Sequence, residues 1–71
     1  MATQVEAQIA GSIRKIERAV GDVVEQADVL MILESMKMEI PVEAPCAGRI
    51  REIRVQEGQA IEEGSVLAVI E

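Results

Sequence analysis

Short runs of alternating apolar and polar residues, separated by glycine and proline, occupy most of the chain. In residues 3–9, the apolar side chains of Val5, Ala7 and Ile9 alternate with polar neighbours. This period of two predicts a half-buried β-strand. Residues 29–33 form instead a continuous apolar run that is short and rich in β-forming residues, which predicts a strand covered on both faces.

Two irregularities refine the strand pattern in the second half of the chain. Ile50 and Ile53 fall out of phase in an otherwise alternating segment, which predicts a bulge or a change of sheet near Arg51 or Glu52. Pro41 lies within a predicted strand and has no backbone donor. We therefore expect that strand at a sheet edge or at a bulge.

The sequence contains an internal repeat that spans its whole length. Residues 1–34 align with residues 38–71 without a gap, and such self-similarity indicates a duplication. Apart from Met1/Met38, where an initiator methionine makes the match uninformative, the identical pairs are Val5/Val42, Glu6/Glu43, Ala7/Ala44, Ala10/Ala47, Gly11/Gly48, Ile13/Ile50, Arg14/Arg51, Ile16/Ile53, Gly21/Gly58, Glu25/Glu62, Val29/Val66, Leu30/Leu67 and Glu34/Glu71. Only Ser35, Met36 and Lys37 have no copy, so they predict a tight hairpin between the halves.

The repeat also decides between strand and helix. Ile13, Ile16 and Val20 have helical spacing, but the apolar residues of the equivalent segment 50–57 are all β-branched, and the segment is followed by Gly58. Equivalent segments should fold alike, which favours strands. About eight short strands then predict an all-β sandwich or flattened barrel with a pseudo-two-fold axis.

Composition limits the class of protein and its partners. With 71 residues the chain has room for one small domain, and its core must form without Phe, Tyr or Trp. The net charge of −6 argues against nucleic acid as a partner. No apolar stretch is long enough to cross a bilayer and no export signal is visible, so we expect no membrane association and a cytoplasmic location.

Catalytic and metal-binding chemistry find little support. The single cysteine, Cys46, aligns with Ile9, and the chain has no histidine to serve as a base or co-ligand. Cys46 is therefore interpreted as a small apolar filler in a reducing compartment. Glu34 and Glu39 could form an acid–base pair, but the repeat of Glu34 at the end of the second half fits a structural or charge role better. We predict no catalytic residue and no metal site.

The hairpin is the candidate functional site. A lysine at a loop tip needs no special explanation, and methionines could cap the end of a barrel as core filler. The functional interpretation is that Met36 and Met38 form a recognition surface and a dry collar around a group attached to Lys37. Two long thioethers at an exposed tip are unusual for a surface that serves only solubility.

The hairpin and the segment after it resemble the biotinyl domains of biotin-dependent carboxylases, the biotin carboxyl carrier family. Those domains carry Glu-Ala-Met-Lys-Met followed by an acidic residue, and then Ala-Pro-x-x-Gly. The corresponding segments here are residues 34–39, Glu-Ser-Met-Lys-Met-Glu, and residues 44–48, Ala-Pro-Cys-Ala-Gly. Ser35 replaces the usual alanine, Ala27 stands where the second half has Gly64, and the inserted thumb of some bacterial carriers is missing.

The resemblance implies a fold and a function. It implies a barrel-sandwich hybrid of two four-stranded antiparallel sheets, with residues 1–71 as a single biotinyl domain and residues 35–37 joining the half-repeats 1–34 and 38–71. Biotin would be attached covalently to Lys37, with Met36 and Met38 as flanking recognition residues.

The implied partners follow from that family. Glu34, Ser35 and Glu39 would be recognised by a biotin protein ligase. The biotinylated carrier, itself not an enzyme, would shuttle a carboxyl group from a biotin carboxylase to a carboxyltransferase. Two alternatives stay open: a lipoyl carrier domain of a 2-oxoacid dehydrogenase-type complex, which normally has Asp-Lys-Ala at the tip, and an unmodified barrel-sandwich interaction module.

Overall fold

A computed structural model describes residues 2–71, so the first residue of the half-repeat 1–34 lies outside the described residues. All regular elements in residues 2–71 are β-strands, four from each half of the chain. They are β1 (Thr3–Glu6), β2 (Gly11–Ile16), β3 (Val23–Val24), β4 (Val29–Ser35), β5 (Met38–Glu43), β6 (Gly48–Ile53), β7 (Ala60–Ile61) and β8 (Val66–Ile70).

The strands form two four-stranded antiparallel sheets that are related by the repeat. One sheet has the order β1-β8-β6-β3 and the other the order β5-β4-β2-β7. Exchanging each strand for its equivalent in the other half converts one order into the other. Each sheet therefore takes two strands from each half, which confirms the predicted all-β barrel-sandwich with pseudo-two-fold symmetry.

The core lies between the two sheets and is built from aliphatic residues of both halves. The large side chains that are almost completely buried come in part from twin positions, such as Leu30 with Leu67 and Ile13 with Ile50. Buried and partly buried apolar residues form one cluster, and Cys46 is a half-buried member packed against it. This placement agrees with the interpretation of Cys46 as a filler.

The predicted irregularities are present, and the bulge occurs in both halves. The β6–β8 register shifts between Ile50 and Glu52, and the β2–β4 register shifts between Ile13 and Lys15. Each strand therefore carries a bulge at the arginine between those residues, Arg51 or Arg14. Pro41 lies in β5, an edge strand, where its missing donor leaves no ladder hydrogen bond unmade.

The first predicted strand was extended too far. β1 ends at Glu6, where its register with β8 shifts, and the chain then bends toward β2 in the other sheet. Val5 and Ala7 are buried as expected, but Ile9 is 37% exposed in the connection. The alternation of apolar and polar residues continues past the point at which the backbone leaves the sheet, so periodicity alone overestimated the strand.

Candidate functional site

The two halves are joined by a two-residue turn. Ser35 at the end of β4 pairs with Met38 at the start of β5, and only Met36 and Lys37 lie between them. Their φ angles are 53° and 64°, and positive φ at both central residues is the signature of a type I′ hairpin turn. Such turns match the twist of the flanking strands, and they favour Asn and Gly at the two central positions. Met36 and Lys37 have larger side chains, for which a positive φ is unfavourable.

Lys37 is exposed at this tip and forms no ion pair with any residue from 2 to 71. The second lysine, Lys15, is also exposed, but its Nζ lies 3.5 Å from Oε1 of Glu17. The turn thus presents a primary amine that is open to solvent and not held by a carboxylate.

The methionines on either side of Lys37 do not cap the core. Met36 is 87% exposed and Met38 is 62% exposed, whereas Met31 in β4 is completely buried. The filler interpretation is therefore wrong for this pair. Their exposure places two flexible thioethers at the surface beside the amine, as a recognition surface requires.

The other site residues predicted from the sequence lie at the base of the same turn. Glu34 pairs across the strands with Glu39, one step below the pair formed by Ser35 and Met38. Arg14 of β2 reaches both carboxylates: its Nε lies 2.6 Å from Oε2 of Glu39, and its Nη1 lies 3.7 Å from Oε2 of Glu34. The structure brings all six predicted residues together and adds an arginine.

Arg14 is the residue that sequence reasoning missed. The signal was present, because Arg14 and Glu34 are both repeated, as Arg51 and Glu71. The repeated pair is also an ion pair, with Nη1 of Arg51 lying 3.8 Å from Oε2 of Glu71. Two charges of opposite sign that recur together under a duplication indicate a contact.

The site is a protruding tip and not a cleft. A groove of about 430 Å³ lies between the edge strands β1 and β5, and its lining includes Val5, Ile40 and Val42 but not Lys37. Among residues 2–71 no group of three or more His, Cys, Asp or Glu side chains is arranged to hold a metal ion. The part of the chain that the structure describes contains no helix able to span a bilayer.

Comparison with known proteins agrees with this geometry. The Biotin_lipoyl family, described as "Biotin-requiring enzyme", matches residues 1–70. The chain belongs to this family. The biotinyl domain is 50% identical over 42 residues to a homolog of the biotinylated protein TB7.3 from Mycobacterium leprae. This alignment covers 59% of the domain and 59% of the relative. It is 47% identical over 38 residues to a biotin/lipoyl attachment protein from Bacillus subtilis, which covers 54% of the domain and 52% of the relative.

Solved structures show the same barrel within larger enzymes. The biotinyl domain superimposes on part of the urea carboxylase of Kluyveromyces lactis with a TM-score of 0.95 and 35% identity, covering 100% of the domain and 6% of that chain. It also superimposes on a single-chain, multi-domain long-chain acyl-CoA carboxylase with a TM-score of 0.90 and 31% identity, covering 96% of the domain and 7% of that chain. The domain therefore resembles a part of two carboxylases, and its biotin-requiring family and biotinylated relatives indicate covalent biotin as its cofactor.

The described residues suit that cofactor. Covalent attachment through the carboxylate of biotin needs an amine that a modifying enzyme can reach, and the turn supplies one in Lys37. Apolar side chains beside the amine, from Met36 and Met38, can contact the attached group or the enzyme.

Proposed function

We propose that Lys37 is the biotin attachment residue of a carboxyl carrier in a biotin-dependent carboxylase. The observation that supports this most strongly is the exposed Lys37 amine on a two-residue turn, flanked by exposed methionines, in a member of a biotin-requiring family. In this proposal residues 1–71 act as one biotinyl domain, with the turn at the junction of half-repeats 1–34 and 38–71.

The contribution of the protein is presentation and not chemistry. Biotin, when attached, supplies a ureido nitrogen that can carry a carboxyl group. The strands β4 and β5 hold the turn away from the core, so that the tip can enter the active site of a biotin carboxylase and then that of a carboxyltransferase. Tethering raises the effective concentration of the carried group at both sites.

Attachment needs a second protein, which we infer to be a biotin protein ligase. A lysine amine near neutral pH is mostly protonated and weakly nucleophilic. No carboxylate among the described residues pairs with Lys37 to act as a base, so the ligase must supply the activation. In this proposal Glu34, Ser35 and Glu39 form the surface that the ligase recognises, and the cycle takes place in the cytoplasm. Amide formation changes the formal net charge from −6 to −7.

The two lysines of the chain provide a matched test of the attachment residue. Lys37→Arg and Lys15→Arg both keep a positive charge and remove an amine. We expect intact-mass spectrometry after incubation with biotin protein ligase, biotin and ATP to show one added biotinyl group on the wild type and on Lys15→Arg. Lys37→Arg should remain unmodified and should not bind streptavidin.

Three results would contradict the proposal. One is modification of Lys37→Arg, which would place biotin on another group. Another is a lipoyl adduct on Lys37 in the protein isolated from cells. The third is a cell in which Lys37→Arg leaves the associated carboxylase activity intact, because that would favour an unmodified interaction module.

A further inference from the structure

The hairpin that carries Lys37 contains an electrostatic conflict. Glu34 and Glu39 lie directly opposite each other on β4 and β5, one residue pair below the pair that closes the turn. Like charges in this cross-strand position destabilise a hairpin. The turn itself is held in a left-handed backbone region that is unfavourable for residues other than glycine, and both of its central residues carry side chains. The part of the domain that a partner must recognise therefore contains two locally unfavourable features.

Arg14 resolves this conflict from a third strand. The β2 bulge places both Arg14 and Lys15 at the exposed surface, between the buried Ile13 and the half-buried Ile16. The planar guanidinium of Arg14 then contacts Glu39 at 2.6 Å and Glu34 at 3.7 Å. A guanidinium presents several donors in a fixed plane, so one arginine can hold two carboxylates in a defined arrangement.

The repeat provides an internal comparison. Arg51 occupies the equivalent bulge of β6, where its closest carboxylates are Glu71 at 3.8 Å and Glu52, of its own strand, at 4.0 Å. The contact of Arg51 with Glu71 matches that of Arg14 with Glu34, and both are longer than a charge-assisted hydrogen bond. What the twin position lacks is a counterpart of Glu39, because the equivalent residue is Ala2. The short contact thus occurs at the hairpin that carries Lys37 and not at its twin position.

We propose that Arg14 is a positioning residue for biotin attachment: it fixes Glu39, opposite Glu34, so that the ligase meets the tip in one defined arrangement. This inference rests on the proposed function. A role in global stability explains the cluster less well, because the side chains of Arg14 and Glu39 are 54% and 59% exposed, and exposed ion pairs contribute little to folding stability.

Ligase kinetics with three single variants test this role. Arg14→Ala should raise the KM for the carrier about five-fold with kcat nearly unchanged, since about 1 kcal/mol of ordered contact at the docking surface would be lost. Arg14→Lys should recover part of the loss, because it restores the charge but not the planar fork. Arg51→Ala, the matched control, should have the KM of the wild type.

A double-mutant cycle with Glu39→Gln tests whether Arg14 acts through the carboxylate. If it does, adding Arg14→Ala to Glu39→Gln should change KM by much less than it does in the wild-type background. Amide resonances of Met36 and Lys37 should also shift in Arg14→Ala and stay in place in Arg51→Ala.

Several outcomes separate this inference from the proposed function. A wild-type KM in Arg14→Ala, an equal rise in Arg51→Ala, or a full effect of Arg14→Ala in the Glu39→Gln background would overturn the role of Arg14 alone. A wild-type chain that takes no biotin, or takes it at a residue other than Lys37, would instead overturn the proposed function.

Discussion

Ala27 adopts a left-handed backbone conformation at a position where its repeat twin is a glycine. Its φ angle is 76°, and that of Gly64 is 88°. The same corner imposes this conformation on both residues: the Ala27 amide donates to the Ala44 carbonyl at 2.8 Å, as the Gly64 amide donates to Ala7 at 2.9 Å. A residue with a Cβ is strained in this region and glycine is not, so the first half of the chain carries strain that the second half avoids.

We expect Ala27→Gly to raise the free energy of unfolding by about 0.5–1 kcal/mol. Relief of the left-handed strain, of order 1–3 kcal/mol, should outweigh the greater entropy that glycine gives the unfolded chain, about 0.4–1 kcal/mol. Urea denaturation followed by circular dichroism measures the change. Gly64→Ala is the matched control and should lower the free energy by a similar amount, since a Cβ there meets no atom within 4 Å and only strain is added. A destabilised Ala27→Gly together with an unaffected Gly64→Ala would contradict this account.

Glu52, in β6, has a lowered pKa. A hydrogen bond from Nε of Arg54 at 3.0 Å, with the charges of Arg54 and Arg51, lowers the pKa of Glu52 below its ordinary value of 4.5, against a smaller opposing effect of desolvation. Because the pKa of Glu52 is lower in the folded state, the stabilisation from its ion pairs is present at pH values above the unfolded-state pKa. It is lost as pH falls through the folded-state pKa.

Arg54→Gln should therefore raise the pKa of Glu52, as measured by NMR titration of its carboxyl carbon. Arg51→Gln should raise it less, and equal shifts would contradict the importance of the hydrogen bond.

At the scale of elements, the strands were largely predictable because the duplication tests each assignment twice. The strand-like equivalent segment argues against a helix around Ile16, and the phase slip predicts a bulge or a change of sheet near Arg51 or Glu52, where the bulge is found. The turn type was not predictable, since Met36 and Lys37 lack the Asn-Gly signal of a type I′ turn and adopt it because only two residues connect the paired strands. The contact of Arg14 with Glu39 was not predictable, because it reaches past β4 to β5 and Glu39 has no charged equivalent in the repeat.

Close approach of β2 to the end of β4 makes the hairpin sensitive to a methyl group at Gly11. A Cβ there would collide with the carbonyl oxygen of Glu34 and lie 3.2 Å from Cβ of Ser35. We expect Gly11→Ala to lower the free energy of unfolding by about 1–3 kcal/mol, because backbone must shift to make room. We also expect it to slow biotin attachment, measured as kcat/KM with the ligase, by displacing the base of the turn.

Gly48→Ala is the control for that prediction. A Cβ at Gly48 would lie 2.6 Å from both the Glu71 carbonyl oxygen and Cγ2 of Ile70, which is a comparable clash at the twin position. It should destabilise the fold to a similar extent while leaving kcat/KM near that of the wild type. Equal losses of kcat/KM in the two variants would mean that the rate follows global stability and not the position of the hairpin.

At the scale of the whole molecule, the duplication does not make two independent units. Both sheets contain two strands from each half, and the core cluster joins apolar side chains of both. Neither half can complete a sheet or cover its apolar face without the other. The domain should therefore unfold in one step, as small domains usually do, and the hairpin should stay ordered as long as the barrel exists.

Twin substitutions in the core test this cooperativity. Leu30 and Leu67 are equivalent and at most 1% exposed, so Leu30→Ala and Leu67→Ala should each cost about 2–5 kcal/mol. That is a large part of the roughly 4–10 kcal/mol expected for a chain of this length.

The chain has no aromatic residue to report unfolding by fluorescence, so amide NMR signals from each half should be followed through a urea titration. In both variants the signals of the two halves should disappear together, because loss of either leucine disrupts the core that both sheets share. Earlier loss of the mutated half would show that the halves are separable, and the turn at Lys37 would then be a link between two units and not part of one rigid barrel.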